Sequence, residues 1–318
     1  MTVTMRHEPY ELAAGLRAVV DAVRIAPDAT TARVADTHNL AEDTSRHLCG
    51  ALADALYETF HAGLRLPQVR PRTWRDPDLE RRFAQVVPHC STPVTAVWAG
   101  PSGPDGFVAE IGGVRVDVPA SRLTAGTQRP GDHVTLRWPA ANRAVSPGFY
   151  FVTGSSGPPR SRPLTRLYIH LTTPEDAPNV LGTVLRELER TGLPYQAKVA
   201  STEHQYPRRD AMVVYLGGEA GPAVDAVAGS VRGLRATGTS TSAFAHLLGP
   251  GVAVAHEPDD PRPGMRGLSF GEHRSRVLAE ALVEHALRPE DENPYGMVAR
   301  HCAQAGIDSH NPAFNSHA

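Results

Sequence analysis

The first sixty residues place apolar side chains at helical spacing. Leu12, Leu16, Val19, Val20 and Val23 share one helical face, and Leu48, Leu52, Leu56 and Phe60 repeat the pattern until Gly63. This spacing predicts helix across residues 8–62. An arginine-rich stretch broken by prolines covers 66–90, with a short helix expected around Leu79–Val86. From Val94 to Phe151 the period drops to two. VTAVWAG, GFVAEIGG, VRVDVP and HVTLRWP alternate apolar and polar residues, separated in part by Gly-rich turns, with another turn over Thr127–Asp132. These runs predict a small antiparallel β module, barrel-like in outline. NRAVSPGFYFVTGS then leads into a second unit, closed by the linker SSGPPRSRP.

Beyond Leu164 the pattern is mixed. RLYIHLT reads as a strand. Val180, Leu181, Val184, Leu185 and Leu188 form an amphipathic stripe between Pro178, suited to an early helix position, and Gly192, suited to the cap beyond its end. PYQAKVA and AMVVYLG are strands joined by Ser201–Arg209, as in a hairpin. Residues 164–233 thus predict β-α-β-β-α, with helices on one face of a sheet. Residues 234–268 are irregular and rich in Gly, Pro, Ser and Thr, which predicts a long loop able to act as a lid. Ser269 and Glu272 have capping-box spacing ahead of a helix buried through Val277, Leu278, Ala281 and Leu282. A last helix is expected near Tyr295–Ala305. The predicted class is α+β: N-terminal helices over 1–90, a central small antiparallel β module over 91–157, and a C-terminal mixed α+β unit over 158–318.

Composition narrows the function. A formal net charge of −2 over 318 residues argues against a general polyanion binder, so no nucleic acid is expected. No apolar run is long enough to span a membrane, and MTVTMRHEPYEL lacks the apolar core of a signal peptide. Cys49, Cys90 and Cys302 are scattered and form no CxxC pair, so neither a metal site nor a disulfide framework is expected. A reducing, cytoplasmic setting follows as the default. Arg70, Arg72, Arg75, Arg81 and Arg82 read as a solvated face balanced by Asp76, Asp78 and Glu80, with a phosphate- or peptide-facing patch as the alternative. His47 and His61 read as surface or packing histidines.

One stretch stands out chemically. YQAKVASTEHQYPRRDAMVVY, from Tyr195 to Tyr215, holds the chain's one lysine, Lys198, among thirty-one arginines. Arginine stays protonated, whereas a lysine can lose its proton and serve as a base. The same stretch carries His204, Tyr206, Arg208, Arg209 and Asp210. A lysine base, an arginine for an anion and a proton donor together suit β-elimination of a phosphate. The alternative is that Arg208 pairs with Asp210 in a turn while Tyr206 and Tyr215 are core. P-loop, dinucleotide-binding, HExxH and GxSxG motifs are all lacking, as are the Gly-rich loop and catalytic loop of a kinase.

Several blocks are family-like. RLYIH, YQAKV, YPRRDAMVVY and GLSFGEHRSRVLAEAL, with SPGFYFVTG and the closing NPAFN, resemble the HopA-type family of bacterial type III effectors. The similarity is strongest over 143–315 and fades before residue 90. The resemblance implies the stand-alone lyase of class V lanthipeptide and thioamide-peptide biosynthesis. There a separate phosphotransferase-like kinase phosphorylates Ser or Thr of a ribosomally made leader-core precursor peptide, and the lyase eliminates phosphate to leave dehydroalanine or dehydrobutyrine. On that pattern Arg208, not Arg209, is the matching arginine. Within this reading Lys198 is the candidate base, His204 or Tyr206 the acid, and Asp210 the group that orients an arginine. Arg208, Arg274 and Arg166 are candidate phosphate ligands, with Tyr168 and His273 as further candidates. No cofactor is expected, because arginines can neutralise the phosphate. The rival readings are a non-catalytic, effector-like peptide- or kinase-binding module and a cyclase that adds thiols to dehydro residues.

Overall fold

The computed structural model describes residues 11–64, 75–143, 145–218 and 220–316. Arg70 and Arg72 of the basic stretch lie outside the described residues. The architecture is mixed α+β, as the patterning predicts.

Helix α1 (Ala14–Ala22) buries Leu16, Val19 and Val20. The expected unbroken helix over 8–62 then needs correction. Strands β1 (Val23–Ile25), β2 (Thr31–Val34) and β3 (His38–Ala41) form a three-stranded antiparallel sheet. Pro27 interrupts helical bonding, and Ala29 and Ala35 turn the chain with φ of 50° and 47°. Along β2 exposed and buried residues alternate over four positions, a period-two signal too short to outweigh the helical stripes around it. Helix α2 (Ser45–Leu56) follows, capped by Thr44 and buried through Leu48, Leu52 and Leu56. It runs into a π-helical turn, Tyr57–Ala62, which ends at Gly63.

Helix α3 (Pro77–Val86) ends where predicted and starts two residues earlier, because Asp76 accepts from the backbone N–H groups of Asp78 and Leu79. Strands β4 (Ser91–Gly103), β5 (Gly106–Ile111), β6 (Val114–Pro119), β7 (Leu123–Gly126) and β8 (His133–Pro139) make an antiparallel sheet in the order β6-β5-β4-β8-β7. It has its own small core, with Trp98 stacked on Phe107 at 4.1 Å.

The remaining strands form one antiparallel seven-stranded sheet. They are β9 (Ala141–Asn142), β10 (Phe149–Thr153), β11 (Leu164–Leu171), β12 (Tyr195–Ala200), β13 (Arg208–Gly217), β14 (His246–Gly249) and β15 (Val252–His256), in the order β14-β15-β11-β13-β12-β10-β9. The sheet therefore begins at Ala141, inside the stretch assigned by patterning to the β module. Helices α4 (Ala177–Thr191) and α5 (Gly221–Val231) cover one face, burying Leu181, Leu185 and Leu188 against Leu167, Ile169, Val199 and Val214. Each such leucine contributes about 1.5–3 kcal/mol by leaving water. The opposite face, through Tyr168, Val213 and Ala255, packs on α1, α2, α6 (Phe270–Leu287) and α7 (Pro294–Gln304). The N-terminal helices thus share a core with the C-terminal ones. Ser269 and Glu272 complete the predicted capping box at the start of α6.

Residues 234–268 are not a free lid. They contain the β14–β15 hairpin and are tied to their neighbours by backbone bonds. Gly238 N–H donates to the His170 carbonyl (3.0 Å), Ala243 N–H to Phe60 (2.9 Å) and Gly251 N–H to Thr239 (3.0 Å). Gly and Pro punctuation here marks tight packing rather than looseness. No helix among the described residues is long and apolar enough to cross a membrane.

Candidate functional site

Along β12, Ala197 and Val199 enter the core beneath α4, so alternation places Lys198 on the other face. Its Nζ lies 4.3 Å from the centroid of the Phe149 ring. Among the described residues Lys198 has no hydrogen bond and no ion-pair partner. On neighbouring β13 the pairing with β11 slips. Ile169 faces Met212 and Leu171 faces Arg208, so Arg209, Asp210 and Ala211 stand opposite His170 alone. A bulge of this kind re-aims side chains, and here it turns Arg208 and Asp210 toward the π-helical turn.

Arg208 and Asp210 pair bidentately, Nε to Oδ1 and Nη2 to Oδ2, both at 2.8 Å. Arg208 Nη2 also donates to the Tyr57 hydroxyl (2.9 Å), which in turn donates to Asp210 Oδ2 (2.9 Å). The guanidinium is 6.0 Å from both the Tyr57 and Phe149 ring centroids. These bonds use Nε and Nη2, and the Nη1 hydrogens are left without a partner among the described residues. Burial alone would push the Asp210 carboxyl up, but the charge and hydrogen bonds of Arg208, helped by His61 and Tyr57, hold it far below its usual range. Burial likewise opposes the charge on Arg208, and Asp210 more than offsets it. Burial and the Asp210 charge push the Tyr57 phenol well up, so it stays protonated.

Behind this trio lies His61, 2% exposed. Its Nδ1 is 2.8 Å from Ser242 Oγ and its Nε2 is 3.7 Å from Asp210. The Asp210 contact is beyond hydrogen-bond distance, so Ser242 is the hydrogen-bond partner of the ring among the described residues. Burial lowers the His61 pKa to about 4, with Asp210 opposing and Arg208, Arg166 and Lys198 adding to the fall. Tyr57, Tyr168, Phe270 and Phe244 surround the ring at 5.2 to 6.4 Å. Helix α6 approaches so closely that a Cβ on Gly271 would lie 2.3 Å from His61. The Tyr168 hydroxyl is buried here without a hydrogen-bond partner among the described residues.

Other predicted site residues are placed elsewhere. Arg274, 1% exposed, gives Nε to the Pro312 carbonyl (2.8 Å), Nη2 to Asn315 (3.2 Å) and Nη1 to His273 Nδ1 (2.7 Å). His273 reaches Asp260 through Nε2 (2.9 Å), and Arg262 grips the same carboxylate. Arg274 therefore fastens the C-terminal tail and His273 fastens Asp260, and both are closed to a phosphate. The tail occupies the space at the Arg274 guanidinium. Arg166 is 7% exposed, paired with Glu257 and stacked 5.2 Å from Tyr215. His204 projects from the β12–β13 turn with its side chain 57% exposed. Tyr206 packs in the core beneath α4 and α5 and donates to the Ala200 carbonyl (2.6 Å), on the face opposite Lys198. Neither acid candidate joins Lys198 and Arg208. Arg209 holds the π-helical turn through the Thr59 and Phe60 carbonyls, at 3.3 and 3.2 Å.

The site thus unites Lys198, Arg208 and Asp210 with Phe149, Tyr57, His61 and Ser242, the last four outside the predicted set. Tyr57 lies 151 residues from Arg208, and a lone tyrosine at the end of a helical stripe carries no motif. His61 falls where the stripe predicts packing, and its burial agrees. An open guanidinium edge beside an unpaired ammonium suits an oxyanion.

The sequence profile of the HopA1 effector protein family matches residues 140–314. Two solved structures are similar in part. They are effector proteins of Pseudomonas syringae, from pv. tomato strain DC3000 (19% identity, TM-score 0.41) and pv. syringae strain 61 (15% identity, TM-score 0.41). Each similarity covers 53% of this chain and 63% of the effector, less than two thirds of its length. Comparison with curated proteins finds no match.

Proposed function

This chain belongs to the HopA1 effector protein family, and we propose that it is a phosphoserine/phosphothreonine lyase acting on a ribosomally made precursor peptide. The observation that carries the reading is that Lys198, without an ionic partner among the described residues, and Arg208, with Nη1 likewise unpartnered there, both lie against the Phe149 ring. In this reading the phosphate of the modified residue docks on Arg208. Lys198 Nζ, in its neutral amine form, takes the Cα proton and becomes the ammonium, and the C–H electrons become the Cα=Cβ bond. The Cβ–O bond breaks, and inorganic phosphate leaves with its charge met by Arg208. Asp210 fixes the guanidinium and does not touch the substrate. A separate phosphotransferase-like kinase supplies the phosphorylated peptide, and both act in the cytoplasm, where such a peptide is made. No cofactor takes part in this scheme.

The rival reading, a non-catalytic peptide- or kinase-binding module, uses the same arginine but gives Lys198 no task. Mass spectrometry of a phosphorylated precursor incubated with this protein alone separates the two. Loss of one phosphoric acid per modified residue supports elimination. An unchanged mass with retained phosphopeptide binding favours the binding module.

A further inference from the structure

Tyr57 lies outside the family-matched residues 140–314, yet its hydroxyl is a direct partner of Arg208. We infer that Tyr57 is the positioning residue for the phosphate-binding edge of Arg208, so the N-terminal π-helical turn is a working part of the site. The inference rests on the phosphate reading of Lys198 and Arg208.

Donor geometry carries the argument. A guanidinium held only by a bidentate carboxylate can still tilt about the axis joining the two groups. Here a third bond, Nη2 to Tyr57, lies at an angle to the carboxylate pair and fixes the plane. The tyrosine oxygen accepts from Arg208 while its hydrogen goes to Asp210 Oδ2, so the three groups close a ring of hydrogen bonds. Among the described residues, only the Nη1 edge is left without a partner.

The backbone beneath Tyr57 is built to hold it there. A π-helical turn is an uncommon local choice that recurs at functional sites, and this one begins at Tyr57. The next residue on β13, Arg209, binds the turn through the Thr59 and Phe60 carbonyls. Gly63 ends the turn with φ of 76°, and a Cβ there would lie 2.6 Å from Arg209 Nε. The two adjacent arginines thus grip one turn, Arg209 by its backbone and Arg208 through Tyr57.

The test is a double-mutant cycle read by fluorescence anisotropy, using a phosphothreonine peptide and its unphosphorylated twin as probes. Tyr57→Phe keeps the ring and removes the hydroxyl. It should weaken phosphopeptide binding about tenfold, the scale of one hydrogen bond to a charged group. Binding of the unphosphorylated peptide should not change. In an Arg208→Ala background the same substitution should have no further effect, because Tyr57 acts through that arginine. An equal loss in both backgrounds, or a loss for both peptides, overturns the assignment. If Tyr57→Phe does not fold, Tyr57→Leu, which also removes the hydroxyl, takes its place in the same cycle with the same criteria. A wild-type protein that binds the phosphopeptide selectively but releases no phosphate would remove the elimination reading and leave the cycle decisive for Tyr57. Equal wild-type binding of both peptides would remove the phosphate reading and this inference with it.

Discussion

Replacing Lys198 by arginine separates charge from proton transfer. The variant keeps a cation near Phe149, so phosphopeptide affinity should persist, but arginine does not accept a proton near neutral pH. Lys198→Arg should therefore be as inactive as Lys198→Ala, with elimination slowed about 10²–10⁴-fold, the range for a lost general base. Single-turnover phosphate release, with binding measured in parallel, checks this. A variant that keeps more than about a tenth of the wild-type rate loses less than that range allows and would remove Lys198 as the base. Scarcity made this residue legible in the sequence, because a single lysine among arginines is a chemical statement in itself. Arg208 and Asp210 were legible as a pair two residues apart, although their mutual salt bridge does not exclude Arg208 from a ligand. What sequence could not supply was the partner across space. Tyr57 and Ser242 earn their places only after α2 and the 234–268 segment meet at the bulge on β13, and no local spacing encodes that meeting.

Secondary structure was most readable where a long period and its caps agreed. The α4 stripe, the capping box of α6 and the alternating strands of the β module all follow from their residues. Two elements were missed for opposite reasons. Strands β1 to β3 are short, so propagation of the helical pattern masked their alternation. The 234–268 segment has loop composition, yet it is pinned by backbone bonds to β11 and to the π-helical turn. Its amides at Gly238, Ala243 and Gly251 should exchange slowly without any ligand. Hydrogen exchange in the free protein tests this, and rapid exchange at all three would restore a lid. Helix α6 makes a second prediction. Arg274→Ala should leave buried carbonyls of the tail and His273 without their donor, at a cost of roughly 3 kcal/mol for lost charged hydrogen bonds. A lowered denaturation midpoint with unchanged phosphopeptide affinity is expected. Weakened affinity at unchanged stability would instead return Arg274 to the phosphate site.

At the scale of the whole molecule, two buried histidines lie where separate parts of the chain are clamped together. His61 projects from the N-terminal turn toward β13 and α6, facing Asp210, Ser242, Tyr57 and Tyr168. His273 joins α6 to the segment before it, facing Asp260, Arg262 and Arg274. Burial lowers both to a pKa of about 4, with the charge of Arg274 adding to the effect at His273. An unfolded histidine titrates near 6.5. Because the folded pKa is the lower one, the unfolded chain binds more protons as pH falls. The stability these groups contribute is complete above the unfolded value and is lost on acidification from there toward pH 4. Two such protons give a slope of about 2.7 kcal/mol per pH unit near pH 5. Asp210 and Asp260 act in the same direction at lower pH. Their folded pKa values are depressed, so their contribution disappears below the ordinary carboxylate range, under pH 4. Denaturant unfolding at pH 7.5 and pH 5 should show a large drop between the two. A midpoint that stays constant over that window would mean that neither histidine is held neutral, and the clamp around His61 would have to be drawn with a charged ring facing Asp210.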